Sequence, residues 1–462
     1  MIRRISLLLA AAVLAAPALA AQDASAIATR YRAQADSLIR AATADSAAWL
    51  RIAEMVDRFG PRFSGTPELE AAIDWTVEQM RADGLENVHT EPVMVPRWVR
   101  GEESAELIAP RAVRLHMLGL GGSVGTSPQG IEAEVLVVGS FDELQARAAE
   151  ARGRMVLWDV PFTSYGETVQ YRSRGVVEAA RAGAVASLVR SVGPFGMQTP
   201  HTGSLRYVDS VPPIPGAALS MEDAMMLRRI SARGERVRVR LRMDAQTHPD
   251  VPSSNVVAEL RGRERPDEVV VLGGHSDSWD ITPGAMDDAG GCVAAWEAVR
   301  LMARLGLRPR RTVRVVLWTH EENGLRGANA YRDAHRDEVR DHVLAIESDA
   351  GVFAPTGFGF TGTDAAFDVV RGIGALLAPI GADGITRGGG GADIGPIMAL
   401  GVPGMGLQVE GSRYFWYHHT AADTPDKLDP RDVARSVAAL AVMAWVAAEM
   451  PERLPFGSGA GN

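Results

Sequence analysis

The stretch Val269-Val270-Val271-Leu272-Gly273-Gly274-His275-Ser276-Asp277-Ser278 runs from an unbroken apolar block into two glycines, a histidine and an acid. Four apolar residues without alternation suit a strand buried on both faces, as in the middle of a parallel sheet. Similar blocks follow at 313–318, 343–346 and, more weakly, 405–409. Residues 288–305 read as a helix between the first two blocks. Asp429-Pro430 opens a last helix with Val433, Val437, Leu440 and Ala444 on one face. Strands alternating with helices predict an α/β fold: a doubly wound, mostly parallel sheet with helices on both faces. Such sheets bind ligands at the carboxyl ends of their strands. The chemically notable residues of this chain fall there.

Upstream, residues 22–60 read as polar-amphipathic helix. Thr66-Pro67-Glu68 opens another helix, with a hydroxyl at the cap, proline in the first turn and acids at the positive dipole end. Gly84 ends it, and 86–117 reads as strands with turns. From about Gly125 the texture changes to short β runs at 133–138, 155–159, 186–189 and 214–219. They are separated by helical pieces at 142–151, 174–182 and 221–232. The expected organisation is an inserted α/β module at 125–245 within a larger domain formed by 21–124 and 246–462, with 249–252 as the return linker.

The first residues, Arg3 and Arg4, an apolar run over 5–16 and Ala18-Leu19-Ala20, read as a signal peptide at 1–20. The expected location is therefore secreted or periplasmic, with no membrane contact after cleavage, since no other run is long enough to span. The 462 residues, 46% hydrophobic and 23% charged, suit a soluble globular protein. A net charge of −9 disfavours a nucleic-acid partner, and the basic run 308–311 reads as a solvated loop. The single cysteine, Cys292, excludes an intramolecular disulfide and reads as a small buried hydrophobe. No G-x-S-x-G frame surrounds Ser64 or Ser276, which disfavours acyl-enzyme chemistry.

Histidines and several acids meet at one sheet edge: His275 and Asp277, Asp287-Asp288, Glu321-Glu322, Asp349, and His418-His419. A pair of divalent ions needs such a set. Zinc accepts imidazole nitrogen and carboxylate oxygen, and two ions about 3.5–4 Å apart need a shared ligand. Asp287 is the expected bridge, with His275 and Asp349 completing one position and Glu322 and His419 the other. Asp277 is expected to accept the second ring hydrogen of His275. Glu321, beside a ligand, is the expected general base.

The pattern H-x-D after a strand, D-D-x-x-G, Glu-Glu, a later acid and H-T-x-x-D-T resembles the two-zinc exopeptidases of clan MH. Ser64-Gly65, Asp83-Gly84-Leu85-Glu86, Arg100-Gly101-Glu102-Glu103-Ser104, Glu347-Ser348-Asp349-Ala350-Gly351 and Tyr414-Phe415-Trp416 are similar to its plasma glutamate carboxypeptidase (carboxypeptidase Q) branch. The resemblance implies two zinc ions per chain, and hydrolysis of dipeptides or small peptides at a free amino terminus. It also implies a homodimer and a cis peptide between Asp287 and Asp288. The insert resembles a protease-associated domain at Gly153-Arg154-Met155-Val156-Leu157 and Ala182-Gly183-Ala184. The frame selects His419 over His418 as ligand. His418 stands where many relatives have a tyrosine, so carbonyl stabilisation is expected from His418, Tyr417 or Tyr414.

Plainer readings stand beside these. Asp287 could cap a helix, Asp349 could be a loop acid, and Asp423 reads as a turn acid or a partner of the ligands. Asp393, after the glycines 388–391, is a pocket residue or simply part of a loop, and Trp279 and Trp416 either line a pocket or pack. A carboxypeptidase, a glutaminyl-cyclase-like enzyme and a non-catalytic receptor-like ectodomain are the alternative functions.

Overall fold

The structure is a computed structural model that describes residues 24–457. The expected signal peptide lies outside the described residues. Two eight-stranded sheets organise the chain. In the first the order is Glu86–Val99, Gln246–Leu260, Arg311–Trp318, Arg265–His275, His342–Glu347, Gly404–Val409, Pro355–Thr361, Gly384–Arg387. Its heart is parallel. Arg265–His275 lies between Arg311–Trp318 and His342–Glu347, and the latter continues in parallel to Gly404–Val409. Antiparallel pairings flank this heart on both sides.

Side chains alternate between faces along each strand. Val270, Leu272, Val313, Val315, Leu344 and Ile346 pack in one core with helices Ala24–Thr43, Ala47–Phe59, Gly290–Arg304 and Pro430–Glu449. Val269, Val271, Val316, Trp318 and Ala345 pack on the opposite face with helix Arg326–Ala334 and the short helix Gly395–Met398. The doubly wound α/β expectation is therefore met, with the apolar blocks as the buried central strands. The caps also form: the Thr66 hydroxyl accepts from the Leu69 amide and the Asp429 carboxylate from the Arg431 amide.

Two local expectations are corrected. Residues 249–252 are not a linker but part of the 15-residue strand Gln246–Leu260, paired antiparallel with Glu86–Val99. Proline lacks an amide donor and is tolerated at strand edges and bulges. The register shifts between Val95 and Arg97, opposite Pro249, and this end of the strand has no second neighbour among the described residues. The basic run 308–311 is a solvated loop only at its start, where Arg308 is exposed; it then enters the strand at a buried Arg311. Arg308 pairs with Glu86, Arg310 with Glu264, and the fully buried Arg311 with Glu268.

The second sheet runs Val113–Leu115, Glu103–Ala109, Arg238–Met243, Ile131–Val138, Met155–Trp158, Ala186–Arg190, Gly216–Leu219, Met117–Gly119. It draws on strands upstream of Gly125 as well as on 125–245. The four strands from Ile131–Val138 to Gly216–Leu219 are parallel neighbours. The Gly153 amide donates to the Gly183 carbonyl at 2.9 Å, joining the two glycine-bearing segments. This sheet packs its own cores, separate from that of the first. Among the described residues no helix is long and apolar enough to cross a membrane.

Gly273 shows how tightly the first sheet is closed. A Cβ there would lie 1.8 Å from the Val316 carbonyl oxygen and 2.6 Å from the Trp318 ring. Overpacking of this kind costs about 1–3 kcal/mol or more. Gly273→Ala is expected to lower the thermal midpoint clearly. Gly166→Ala, where a Cβ meets nothing within 4 Å, should leave it level or raise it; differential scanning fluorimetry of the two variants compares them.

Candidate active site

The strand Arg265–His275 delivers His275 to the carboxyl edge of the sheet, and Gly274 makes room for what fixes it. A Cβ on Gly274 would sit 2.1 Å from Asp288 Oδ2. That oxygen accepts the His275 amide at 3.1 Å, while Asp288 Oδ1 accepts the Gly291 amide at 2.9 Å. One carboxylate thus ties the strand end to the start of the helix Gly290–Arg304. The Asp287–Asp288 peptide is cis, as the resemblance implied. Asp423 accepts the amides of Met286 and Asp287 at 2.8 and 3.1 Å, so it is a partner of the loop that carries Asp287. Fully buried Arg62, which sequence reading passed over, donates to the carbonyls of Gly60, Ser276, Pro283 and Gly284. It staples the same loop from the other side.

Around Asp287 the five expected ligands converge. His275 Nε2 lies 3.3 Å from Asp287 Oδ1 and 3.4 Å from Asp349 Oδ1. His419 Nε2 lies 3.6 Å from Asp287 Oδ2 and 2.9 Å from Glu322 Oε2. Each oxygen of Asp287 therefore faces a different histidine. His418 stands beside this second group, its Nε2 3.7 Å from Asp287 Oδ2 and its ring stacked on His419 with centroids 3.6 Å apart. Candidate ligand atoms of His275, Asp287 and Asp349 fall within 4.8 Å of one another, and so do those of Asp287, His418 and His419.

Asp277 acts differently from the expectation. The acceptor for His275 Nδ1 is the Asp277 main-chain carbonyl at 2.9 Å, with the nearer carboxylate oxygen 3.7 Å away. The carboxylate is taken up by the amides of Glu321 at 3.0 Å and Glu322 at 3.3 Å. Asp277 thus orients His275 with its backbone and the Glu-Glu pair with its side chain. Glu321 Oε2 reaches to 4.0 Å of His275 Nε2. Glu321 and Asp349 keep 21% and 24% of their side chains exposed, against 1–7% for the other four. These two are the ones open to an incoming substrate.

The electrostatics describe a site with an excess of negative charge. Burial, with Asp349, Asp277 and Asp287 adding to it and His275 opposing, pushes Glu321 up to about 8. Burial and neighbouring acids hold Glu322 well above the usual carboxylate range, and burial raises Asp349. Burial would lower His275, but Asp349 and Asp287 outweigh it and raise the imidazole well above its ordinary value. His419 is lowered by burial to about 3, and neutral imidazole is the form that ligates. His275 Nε2, Asp287 Oδ2 and Glu322 Oε1 are buried without a hydrogen-bond partner. Buried polar atoms normally have one. Orphaned nitrogen and oxygen atoms among crowded carboxylates are a donor set that divalent cations fit.

Other expected residues separate here. Tyr414 is 5.1 Å from the His418 ring, and burial together with the carboxylates of Asp287 and Asp349 raises its phenol well above the ordinary value. Tyr417 instead carries Lys427 over its ring at 5.9 Å. Trp279 is fully buried, stacked on Phe63 at 4.9 Å, so it packs; Trp416 is partly exposed and stacks on Phe195. Asp393 is buried with both oxygens unpartnered, beside Glu347, which burial and Asp349 raise to about 7. Cys292 is buried and also donates to the His275 carbonyl at 3.0 Å. Sequence reading missed Glu347 as a buried acid, although it lies in the same Glu347-Ser348-Asp349 stretch.

Comparison with known proteins agrees with this geometry. The family described as Peptidase family M28 matches residues 255–444, which hold every residue of the cluster. Carboxypeptidase Q of Homo sapiens is 47% identical over 412 residues, covering 89% of this chain and 87% of that protein, and the Mus musculus protein is 48% identical over 405 residues. A crystal structure of a peptidase M28 precursor from Shewanella amazonensis superposes with a TM-score of 0.90 at 34% identity, over 92% of this chain and 98% of that one. With nearly half its residues shared with those relatives over most of both lengths, the chain belongs to peptidase family M28, in the branch that contains carboxypeptidase Q.

Proposed function

We propose that the chain is a two-zinc exopeptidase, exported to the periplasm or the medium, that hydrolyses dipeptides or small peptides at a free amino terminus. The observation that carries this reading is Asp287 facing His275 with one carboxylate oxygen and His419 with the other. On this reading His275 and Asp349 would hold one ion, Glu322 and His419 would hold the second, and Asp287 would serve both. A bound zinc pair polarises a peptide carbonyl and makes water acidic enough to attack at neutral pH. Glu321, buried yet open on one side, takes the proton from the attacking water and passes it to the leaving amine. Its carboxyl is raised to about 8 among the acids alone, and positive charge held beside it would lower it. Asp277 holds the Glu321 and Glu322 amides, so base and ligand keep a fixed spacing. Tyr414 and His418, on the His419 side, would steady the developing negative charge on the carbonyl oxygen.

The name of the relatives favours the opposite polarity, removal of a carboxyl-terminal residue, on the same residues. The second sheet is proposed as a protease-associated-like insert, and a homodimer as the assembled form, which light scattering on the purified protein measures.

A panel of free, amino-blocked and carboxyl-blocked dipeptides decides the polarity. Acetylating the amino terminus is expected to abolish turnover, while amidating the carboxyl terminus is not; the reverse result assigns a carboxypeptidase. Glu321→Gln is expected to lower kcat about 10²–10⁴-fold, the usual worth of a general base, with zinc content unchanged by elemental analysis. Dialysis against a chelator should remove activity, and zinc should restore it; activity that survives both chelation and Glu321→Gln overturns the reading.

A further inference from the structure

The two halves of the ligand cluster are supported differently. His275 is oriented by Asp277 from within its own strand end. His419 is oriented from the other sheet's segment. Its Nδ1 donates to the Thr202 carbonyl at 3.3 Å, and the Thr202 amide donates back to the His419 carbonyl at 3.0 Å. Four consecutive residues serve this half. The His201 imidazole lies beside the His418 main chain, and Thr202 makes the reciprocal pair. Ser204 Oγ donates to the Glu322 carbonyl at 3.2 Å. Gly203, at φ +135°, leaves space that a Cβ would take from the Arg172 guanidinium, whose carbon would be 2.3 Å away.

Arg172 fills that space. It is buried in the helix Tyr165–Ser173, and its Nη1 donates to the same Thr202 carbonyl at 3.1 Å while Nη2 donates to the Tyr165 hydroxyl at 3.0 Å. Tyr165 stands edge-on to His418, ring centroids 5.0 Å apart. On the other side of the strip, Thr202 Oγ1 donates to the Gly119 carbonyl at 2.9 Å, and Arg100, paired with Asp280, reaches both Thr202 Oγ1 and Gly119. The carbonyl that receives the His419 proton is therefore clamped by a cation and locked in place by its own side chain. His419 itself adopts φ +61°, a left-handed conformation that a non-glycine residue holds only where its surroundings impose it.

We infer that Arg172 is a positioning residue for His419: through the Thr202 carbonyl it fixes the imidazole tautomer and aim, so that the ion position of Glu322 and His419 depends on the docking of the second sheet, whereas that of His275 and Asp349 does not. A donor fixed behind a ligating imidazole sets the ring's orientation and basicity, and loss of such a partner costs about 10–100-fold in metal affinity. The inference rests on the two-zinc reading above.

Zinc binding to the purified full chain, titrated against a competing chelator and counted by elemental analysis, tests it. The wild type is expected to bind two ions in two steps. Arg172→Met is expected to weaken one step about 10–100-fold and leave the other unchanged, and Arg172→Lys, which keeps the charge, to weaken it less. In a His419→Ala background, which keeps only the first position, Arg172→Met should have no further effect. Ser204→Ala, a milder change, should weaken the same step alone, and stands in should Arg172→Met not fold. Equal weakening of both steps, or two wild-type affinities in Arg172→Met and Ser204→Ala, overturns the inference and leaves the zinc peptidase reading intact. A wild-type chain that binds one ion overturns both.

Discussion

Everything at the sheet edge is arranged around the shared carboxylate of Asp287. Two histidines from opposite ends of the catalytic segment cannot approach one acid unless the backbone carrying it is held from several directions. The fold supplies those holds: Asp423 on the amides of Met286 and Asp287, Arg62 on the carbonyls of Pro283 and Gly284, and Asp288 on the amides of His275 and Gly291. None of these three touches a candidate ligand atom in the part it plays here. They fix main chain, and the side chains of the ligands follow. Burying so many acids together is costly unless positive charge answers them, which is why this constellation is informative about chemistry as well as packing.

Much of this was legible in the sequence because His275, Glu322 and Asp349 lie at or just past the ends of recognisable strands. The block at 269–272, with no polar residue to break it, announced a strand covered on both faces; the Gly-Gly that follows marked His275 as the strand end, while the close approach it permits is seen only in the structure. Gly273 against Val316 and Gly274 against Asp288 give that approach its physical content. Less legible were strands without an apolar block. Pro355–Thr361 and Gly384–Arg387 are rich in glycine and threonine and sit at the sheet's far edge, and Gln246–Leu260 hides two prolines in a bulged edge. The Asp277 carboxylate went elsewhere because spacing names a residue but not which of its atoms is nearer. Arg62, Thr202 and Arg172 were invisible for a related reason: they act on main-chain groups remote in the chain, and nothing in local composition marks that.

The two sheets divide the labour unequally. The first brings every candidate ligand and the candidate base. The second contributes backbone and aromatic surface: Tyr165 stacks on Phe415, Phe195 on Trp416, and residues 201–204 lie along the loop of His418 and His419. The loop 411–419 is thus held between the sheets rather than on the surface of one. A site built this way has one wall that belongs to each layer, and the shape of the cleft follows from how the layers meet.

The antiparallel ribbon of Glu86–Val99 and Gln246–Leu260 carries a consequence for the order of events during folding. Its partners are distant along the chain, Val95 opposite Val251, so closing it directly costs the entropy of a long loop. The intervening segment has its own cores and pairs its own ends, with Glu103 opposite Met243. Once that segment has collapsed, the ribbon needs only the few residues on either side to zip. Folding of that segment first would turn this long-range pairing into a local one.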